Sequence, residues 1–325
     1  MGENLTLVQA VRDGLRDEMA EDDDVLVMGE DVGKNGGVFR ATEGLYDEFG
    51  DERVIDTPLA ESGIVGTAIG MAAYGLKPVP EIQFSGFMYP GFDQIVSHMA
   101  RLRTRSRGRF TCPMVLRAPF GGGIRAPEHH SESKEAFYVH EAGLKVAIPS
   151  TPHDAKGMLI AAIRDPDPVI FLEPKKIYRA FREEVPDGPY EVELGEAAVR
   201  REGSDVSVFT WGAMTRPTLE AAENMADDVD VEVIDLRTLS PLDEETIVES
   251  FEKTGRAAIV HEAPRTAGVG AEITATLQEE ALLHQEAPIQ RVTGFDVPFP
   301  LAALEDYYLP EPARIEDGIR EAVEF

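Results

Sequence analysis

Apolar residues along the chain recur at two spacings, and their alternation predicts the elements. Leu7, Val8, Val11, Leu15 and Met19 follow the helical period, with Thr6 placed to cap the helix start. An acidic turn, Glu21 to Asp24, leads into the strand-like run Val25-Leu26-Val27-Met28, and Gly33 to Val38 reads as a loop. Strands are then predicted at 53–55, 79–84, 114–117, 144–148 and 169–172. Helices are predicted at 63–74, 91–105 and 153–164. Such alternation implies right-handed crossovers and a largely parallel sheet covered by helices.

Composition shifts at Phe181 to Gly195, where Arg182 to Pro189 has linker character. Beyond it, strands are predicted at 206–210, 231–234, 257–260 and 289–292. Helices are predicted near 214–226, 243–253, 269–283 and 313–323. The fold class expected is α/β with two domains, 1–185 and 199–325, joined by a linker over 186–198.

Charge narrows the partners. The chain carries 60 acidic against 31 basic residues, a net charge of −29 over 325 residues. That field repels nucleic acid and anionic membranes, so neither is an expected partner. The acids are scattered over the whole length, which points to solvation in a very salty cytoplasm (a halophilic adaptation) rather than to one docking surface. Cys112 is the only cysteine and sits in an apolar run, so it reads as a small buried hydrophobe. The chain's start shows no signal core, and no stretch of about 18 apolar residues occurs, so a soluble cytoplasmic protein is expected.

The common phosphate and nucleophile motifs are missing. There is no Gly-x-Gly-x-x-Gly after the first strand, no P-loop, no His-Glu-x-x-His and no Gly-x-Ser-x-Gly. Three segments instead concentrate chemistry. Asp56 to Gly66 puts Glu61 at the entry of a helix rich in glycine and alanine, where an acid also suits the helix dipole. Glu81 to Phe87 follows a strand end, where parallel sheets collect ligands, so Gln83 and Phe87 are pocket candidates. Arg117 to Ser133 carries three glycines and then His129 and His130 among acids and hydroxyls, a pattern for acid/base work or anion binding. Adjacent histidines without a third ligand at a telling spacing argue against zinc.

Together, in this order, these segments resemble the beta subunits of thiamine-diphosphate-dependent 2-oxoacid dehydrogenases, pyruvate and branched-chain. The resemblance extends through Gly29-Glu30-Asp31-Val32, Arg53-Val54-Ile55-Asp56-Thr57-Pro58, Phe92-Asp93-Gln94-Ile95 and Pro149-Ser150-Thr151-Pro152. It continues through Asp235-Leu236-Arg237-Thr238-Leu239-Ser240-Pro241 and His261-Glu262-Ala263. It implies a pyrimidine-binding domain followed by a transketolase C-terminal-type domain. Glu61 would hydrogen-bond the aminopyrimidine, kept protonated in an apolar pocket, with Leu59 and Gln83 beside it and Phe87 stacked on it. His130, in His130-Ser131-Glu132-Ser133, would assist reductive acylation of a lipoyl group. Glu132 stands where the family has glutamine.

Structural potassium is implied at Met114, Ala162, Ile163, Asp165 and Asp167. No Gly-Asp-Gly occurs in the 325 residues, so the diphosphate and its magnesium fall to an alpha subunit in an α2β2 heterotetramer. A dihydrolipoyl acyltransferase with its lipoyl domain would receive the acyl group. Two alternatives stand beside this reading: half of a split transketolase-like enzyme acting on sugar phosphates, and a non-catalytic structural subunit.

Overall fold

Residues 2–325 are described by a computed structural model. Among the described residues fourteen strands form: β1 Gly2–Leu5, β2 Val25–Gly29, β3 Val54–Asp56, β4 Lys77–Glu81, β5 Val115–Phe120, β6 Lys145–Ala147 and β7 Val169–Pro174. The others are β8 Glu183–Pro186, β9 Ala198–Arg201, β10 Val206–Thr210, β11 Val231–Asp235, β12 Thr238–Ser240, β13 Ala257–Pro264 and β14 Gln290–Gly294. A seven-stranded sheet runs β12-β6-β7-β5-β4-β2-β3, and a five-stranded sheet runs β14-β13-β10-β11-β9. Within these two sheets, only the edge strands β12 and β9 run antiparallel to their neighbours. This is α/β architecture with mainly parallel sheets, as the alternation predicts.

The first helix, Leu7–Glu21, shows how patterning becomes packing. Its buried face includes Leu7, Val8, Val11, Leu15 and Met19, each worth about 1.5–3 kcal/mol when fully buried. Gln9 accepts the Thr6 backbone N–H at 3.0 Å, satisfying a helix-start donor. The same helix packs on the helix Pro152–Arg164, where Gly14 lies against the Lys156 backbone. Lys156 is buried there and paired with Asp13 at 2.6 Å and Asp17 at 2.8 Å.

Three segments depart from the periodicity. Part of the stretch with linker character is β8, which pairs antiparallel with β1; Val185 turns inward while Glu184 and Pro186 stay exposed. That pairing is long-range, so local composition does not reveal it. The helix predicted over 91–105 is broken into Phe92–Gln94, a π turn Ile95–Met99 and Leu102–Arg105. The Ala100 N–H reaches back five residues to Ile95 O, an inserted residue that apolar spacing does not report. The third is β12, a strand of the second half that closes the edge of the first sheet.

This edge ties the halves together. Ile148 N–H donates to Arg237 O at 2.7 Å, and Ser240 Oγ donates to Leu144 O at 2.9 Å. Arg200 bridges buried Asp235 at 2.8 Å and also pairs with buried Asp154. One apolar core cluster joins Phe120 and Leu172 of the first sheet to Phe209 and Ile259 of the second, with Trp211 just past β10. Among the described residues, no helix is long and apolar enough to cross a membrane.

Candidate active site

Because β2, β3, β4 and β5 are parallel, their carboxyl ends share one edge of the sheet. The loops leaving that edge carry Glu30, Thr57 to Glu61, Gln83 to Phe87, and Gly121 to Ser133. Ligands gather at such edges because loops diverge there and helix starts face the gap.

Glu61 opens the helix Glu61–Tyr74 and is half-buried. The loop before it is fixed by its backbone: Thr57 N–H donates to Gly29 O at 2.9 Å, and Asp56 accepts the Gly33 N–H at 2.7 Å. Ser62 Oγ donates to Pro90 O, and Gly91 packs against Glu61 O, so this helix start rests on the segment after Phe87. Leu59 is 77% exposed, and Pro58, Ala60 and Ser62 are exposed with it. The apolar enclosure expected around Glu61 is therefore open on one side in this chain. Glu30, half-buried at the end of β2, is held above the usual carboxylate range by burial and then by the charges of Glu61 and Asp31.

Gln83 and Phe87 are both half-buried and follow β4, Phe87 within the turn Ser85–Met88. The His130 ring lies 4.9 Å from the Phe87 ring and 4.4 Å from Phe84, edge-on to both. His130 Nδ1 sits 2.8 Å from the Glu128 backbone oxygen. A carbonyl only accepts, so Nδ1 is the donor in this contact, and in the neutral imidazole Nε2 is then the acceptor. Gly86 makes this approach possible, because a Cβ there would overlap the His129 carbonyl. Ser85 Oγ and Gly121 N–H both donate to Glu132 O, at 2.7 and 3.2 Å. The Glu132 side chain pairs with Lys134 at 3.2 Å.

Beneath the loops lies a buried ionic cluster. Arg117 is fully enclosed and pairs with Glu173 at 2.6 Å and Glu81 at 3.1 Å, while Tyr178 donates to Glu173 at 2.5 Å. Desolvation dominates at Glu81 and raises its pKa despite the guanidinium. This cluster braces β4, β5 and β7 directly under the histidine loop.

The five residues matched to potassium lie elsewhere. Met114 precedes the amino end of β5, so it is at the opposite edge of the sheet from Glu61 and His130. The Asp165 carboxylate pairs with Lys145 and accepts the Asp167 N–H at 2.8 Å, while Asp167 pairs with Arg103 at 2.5 Å. The Met114 and Ala162 carbonyls accept the N–H groups of Val169 and Asp165. The two carboxylates are engaged by Lys145 and Arg103, while the site the resemblance implies also draws on carbonyl oxygens, each of which keeps a second lone pair beside its N–H. Among the described residues, no group of three or more His, Cys, Asp or Glu side chains is arranged for a metal.

Several residues of this region had no role in the sequence reading. Glu30 follows a strand end, which is a positional signal; Glu262 and Glu305 come from the second half and left only the His261-Glu262-Ala263 match as a trace.

The class follows from this arrangement. Residues 3–180 match the transketolase pyrimidine binding domain, and residues 195–315 match the transketolase C-terminal domain. The fold is also that of a solved split-gene transketolase, described as an inactive beta4 tetramer, with a TM-score of 0.81 at 22% identity over 99% of both chains. The chain is 52% identical over 322 residues to the pyruvate dehydrogenase E1 component subunit beta of Bacillus subtilis (strain 168), 99% of each chain. It is also 52% identical to the subunit of that name from Acholeplasma laidlawii, over 97% of each. The chain belongs to the family of 2-oxoacid dehydrogenase E1 beta subunits, the family that holds these pyruvate dehydrogenase relatives.

Proposed function

We propose that this chain is the beta subunit of a pyruvate dehydrogenase E1 component, working with an alpha subunit in a cytoplasmic α2β2 heterotetramer. The observation that carries the proposal is the gathering of Glu61, Gln83, Phe87 and His130 at one sheet edge, in a chain 52% identical to such subunits over 99% of its length. The side-chain set fits a flat aminopyrimidine: a carboxyl group, an amide, an aromatic ring and the apolar Leu59. Thiamine diphosphate supplies, when bound, the carbon nucleophile that a 2-oxoacid carbonyl requires.

The chain's own residues hold and move protons around that group. Glu61 offers a carboxyl at the helix start, where it would donate to a pyrimidine ring nitrogen. The neighbouring Glu30, raised by burial and then by the charges of Glu61 and Asp31, places a second carboxyl beside it. Phe87 provides a face for the ring, and Leu59 excludes water once covered. The open side at Leu59 is the side an alpha subunit would close, bringing the diphosphate and magnesium contacts for which this sequence has no Gly-Asp-Gly. His130, with Nε2 free to accept, would take part in acyl transfer to a lipoyl group on a dihydrolipoyl acyltransferase.

Co-expression with the alpha subunit tests this. The purified complex with thiamine diphosphate and magnesium should reduce dye with pyruvate in preference to branched-chain 2-oxoacids. Preference for branched-chain substrates would correct the substrate alone. Consumption of ketose phosphates, or assembly and cofactor binding with no turnover, would replace the proposal with a split transketolase or a structural subunit.

A further inference from the structure

The glycine turn that leads from β5 to the histidine loop is gripped by acids from the other half of the chain. Glu262, on β13 and 3% exposed, accepts the Gly122 N–H at 3.2 Å. Glu305, 1% exposed at the start of the helix Glu305–Tyr308, accepts the Gly123 N–H at 2.9 Å and the Arg125 N–H at 3.1 Å through one oxygen. From the first half, the buried Lys175 ammonium donates to the Gly121 carbonyl. Gly121 and Gly123 have φ of +79° and +97°, and a Cβ on Gly122 would lie 2.6 Å from Phe299. Glycine therefore serves both the turn and the close approach of the second half.

Such a turn is conformationally free unless its backbone is tied down, and carboxyl oxygens on backbone N–H groups form directional ties; at Glu262 burial raises the pKa against the opposing pull of the Gly122 N–H and Lys175. Glu262 is anchored on β13, an interior strand of the five-stranded sheet, and Glu305 opens the short helix Glu305–Tyr308. Glu305 makes its hydrogen bonds to the turn, and Glu262 faces both the turn and the Ser133 hydroxyl of the histidine loop. Lys175 faces both acids electrostatically.

We infer that Glu262 and Glu305 are positioning residues that set the place of His130 from the second domain, an inference that rests on the role proposed above for His130. They touch no substrate; they act through the backbone of residues 121–125. The acyl transfer assigned to His130 is then sensitive to the joint between the domains, while the chemistry at Glu61 is not.

The test uses the α2β2 complex carrying Glu305→Ala or Glu305→Gln. Three readouts are compared: dye-linked turnover of pyruvate, acyl transfer to a free lipoyl domain, and hydrogen exchange of the peptide spanning 121–133. In Glu305→Ala, exchange should speed about tenfold or more, lipoyl transfer should fall about 10- to 100-fold, and dye-linked turnover should stay within about threefold. Glu305→Gln still presents an acceptor oxygen and should recover most of the transfer. Unchanged exchange and transfer in Glu305→Ala would overturn the inference. So would an equal fall of both activities with no recovery in Glu305→Gln, which marks a merely structural acid. A wild-type complex that turns over no 2-oxoacid would instead sink the proposed function, and the exchange result would still judge the clamp.

Discussion

Substituting Gly86 by alanine probes the contact that seats the histidine loop. The added Cβ would overlap the His129 carbonyl oxygen, lie 2.9 Å from its carbon and 3.1 Å from Glu132 Cγ. Carbon contacts settle at about 3.5–4.0 Å, so the loop must retreat by roughly 1 Å. His129 itself has φ of +66°, leaving little freedom to swing its carbonyl aside. Overpacking of this kind costs about 1–3 kcal/mol, a fall of a few degrees in Tm. A displacement near 1 Å at a reacting group costs about 100-fold in rate. Thermal unfolding of the chain and lipoyl acyl transfer by the complex would be measured together. Gly70→Ala serves as the control, because a Cβ there meets nothing within 4 Å; it should stabilise the helix by about 0.5–1 kcal/mol. Wild-type transfer and stability in Gly86→Ala would refute the claim that this approach fixes His130.

Three further outcomes follow from the same geometry. Arg117→Met should destabilise the chain by about 3–5 kcal/mol in urea unfolding, because it strands Glu81 and Glu173 in the interior; a loss under 1 kcal/mol would contradict the bracing role. Glu135 is fully buried, and burial pushes its pKa up to about 7 against the opposing pull of its own backbone N–H and the Trp211 indole. The folded state then binds more protons than the unfolded state from about pH 4.5 to 7, so stability falls as pH rises through that window. Glu135→Gln should flatten that fall, and parallel stability–pH curves for both proteins would count against it. With a net charge of −29, the chain should gain thermal stability as potassium chloride rises from about 0.1 M to 1 M, where the Debye length shrinks from roughly 10 Å to 3 Å. A flat salt titration would remove the halophilic reading.

Legibility in the sequence tracked the range of the interactions. The helix Leu7–Glu21 and strands such as β2 and β10 were readable because one period dominates each and burial follows it. Strands β1, β8 and β12 were not, since each owes its form to a partner far along the chain. The π turn at Ile95–Met99 escaped for a related reason: one extra residue leaves the apolar pattern helical. The candidate site was half legible. Glu61, Gln83 and Phe87 stand just past strand ends, and His130 follows a glycine turn, all local signals. The acids that reach that turn from Glu262 and Glu305 depend on how two sheets meet. Likewise, the pairing of Asp165 with Lys145 and of Asp167 with Arg103 is long-range and leaves no local pattern.

The most direct measurement is pyruvate-dependent dye reduction by the α2β2 complex, comparing wild type with Glu61→Ala, alongside thiamine diphosphate binding by calorimetry. A proton held at Glu61 for the pyrimidine predicts a loss of about 100-fold or more in kcat, the usual scale of a lost acid/base group, in a complex that still assembles. Full activity in Glu61→Ala would contradict the account at its centre.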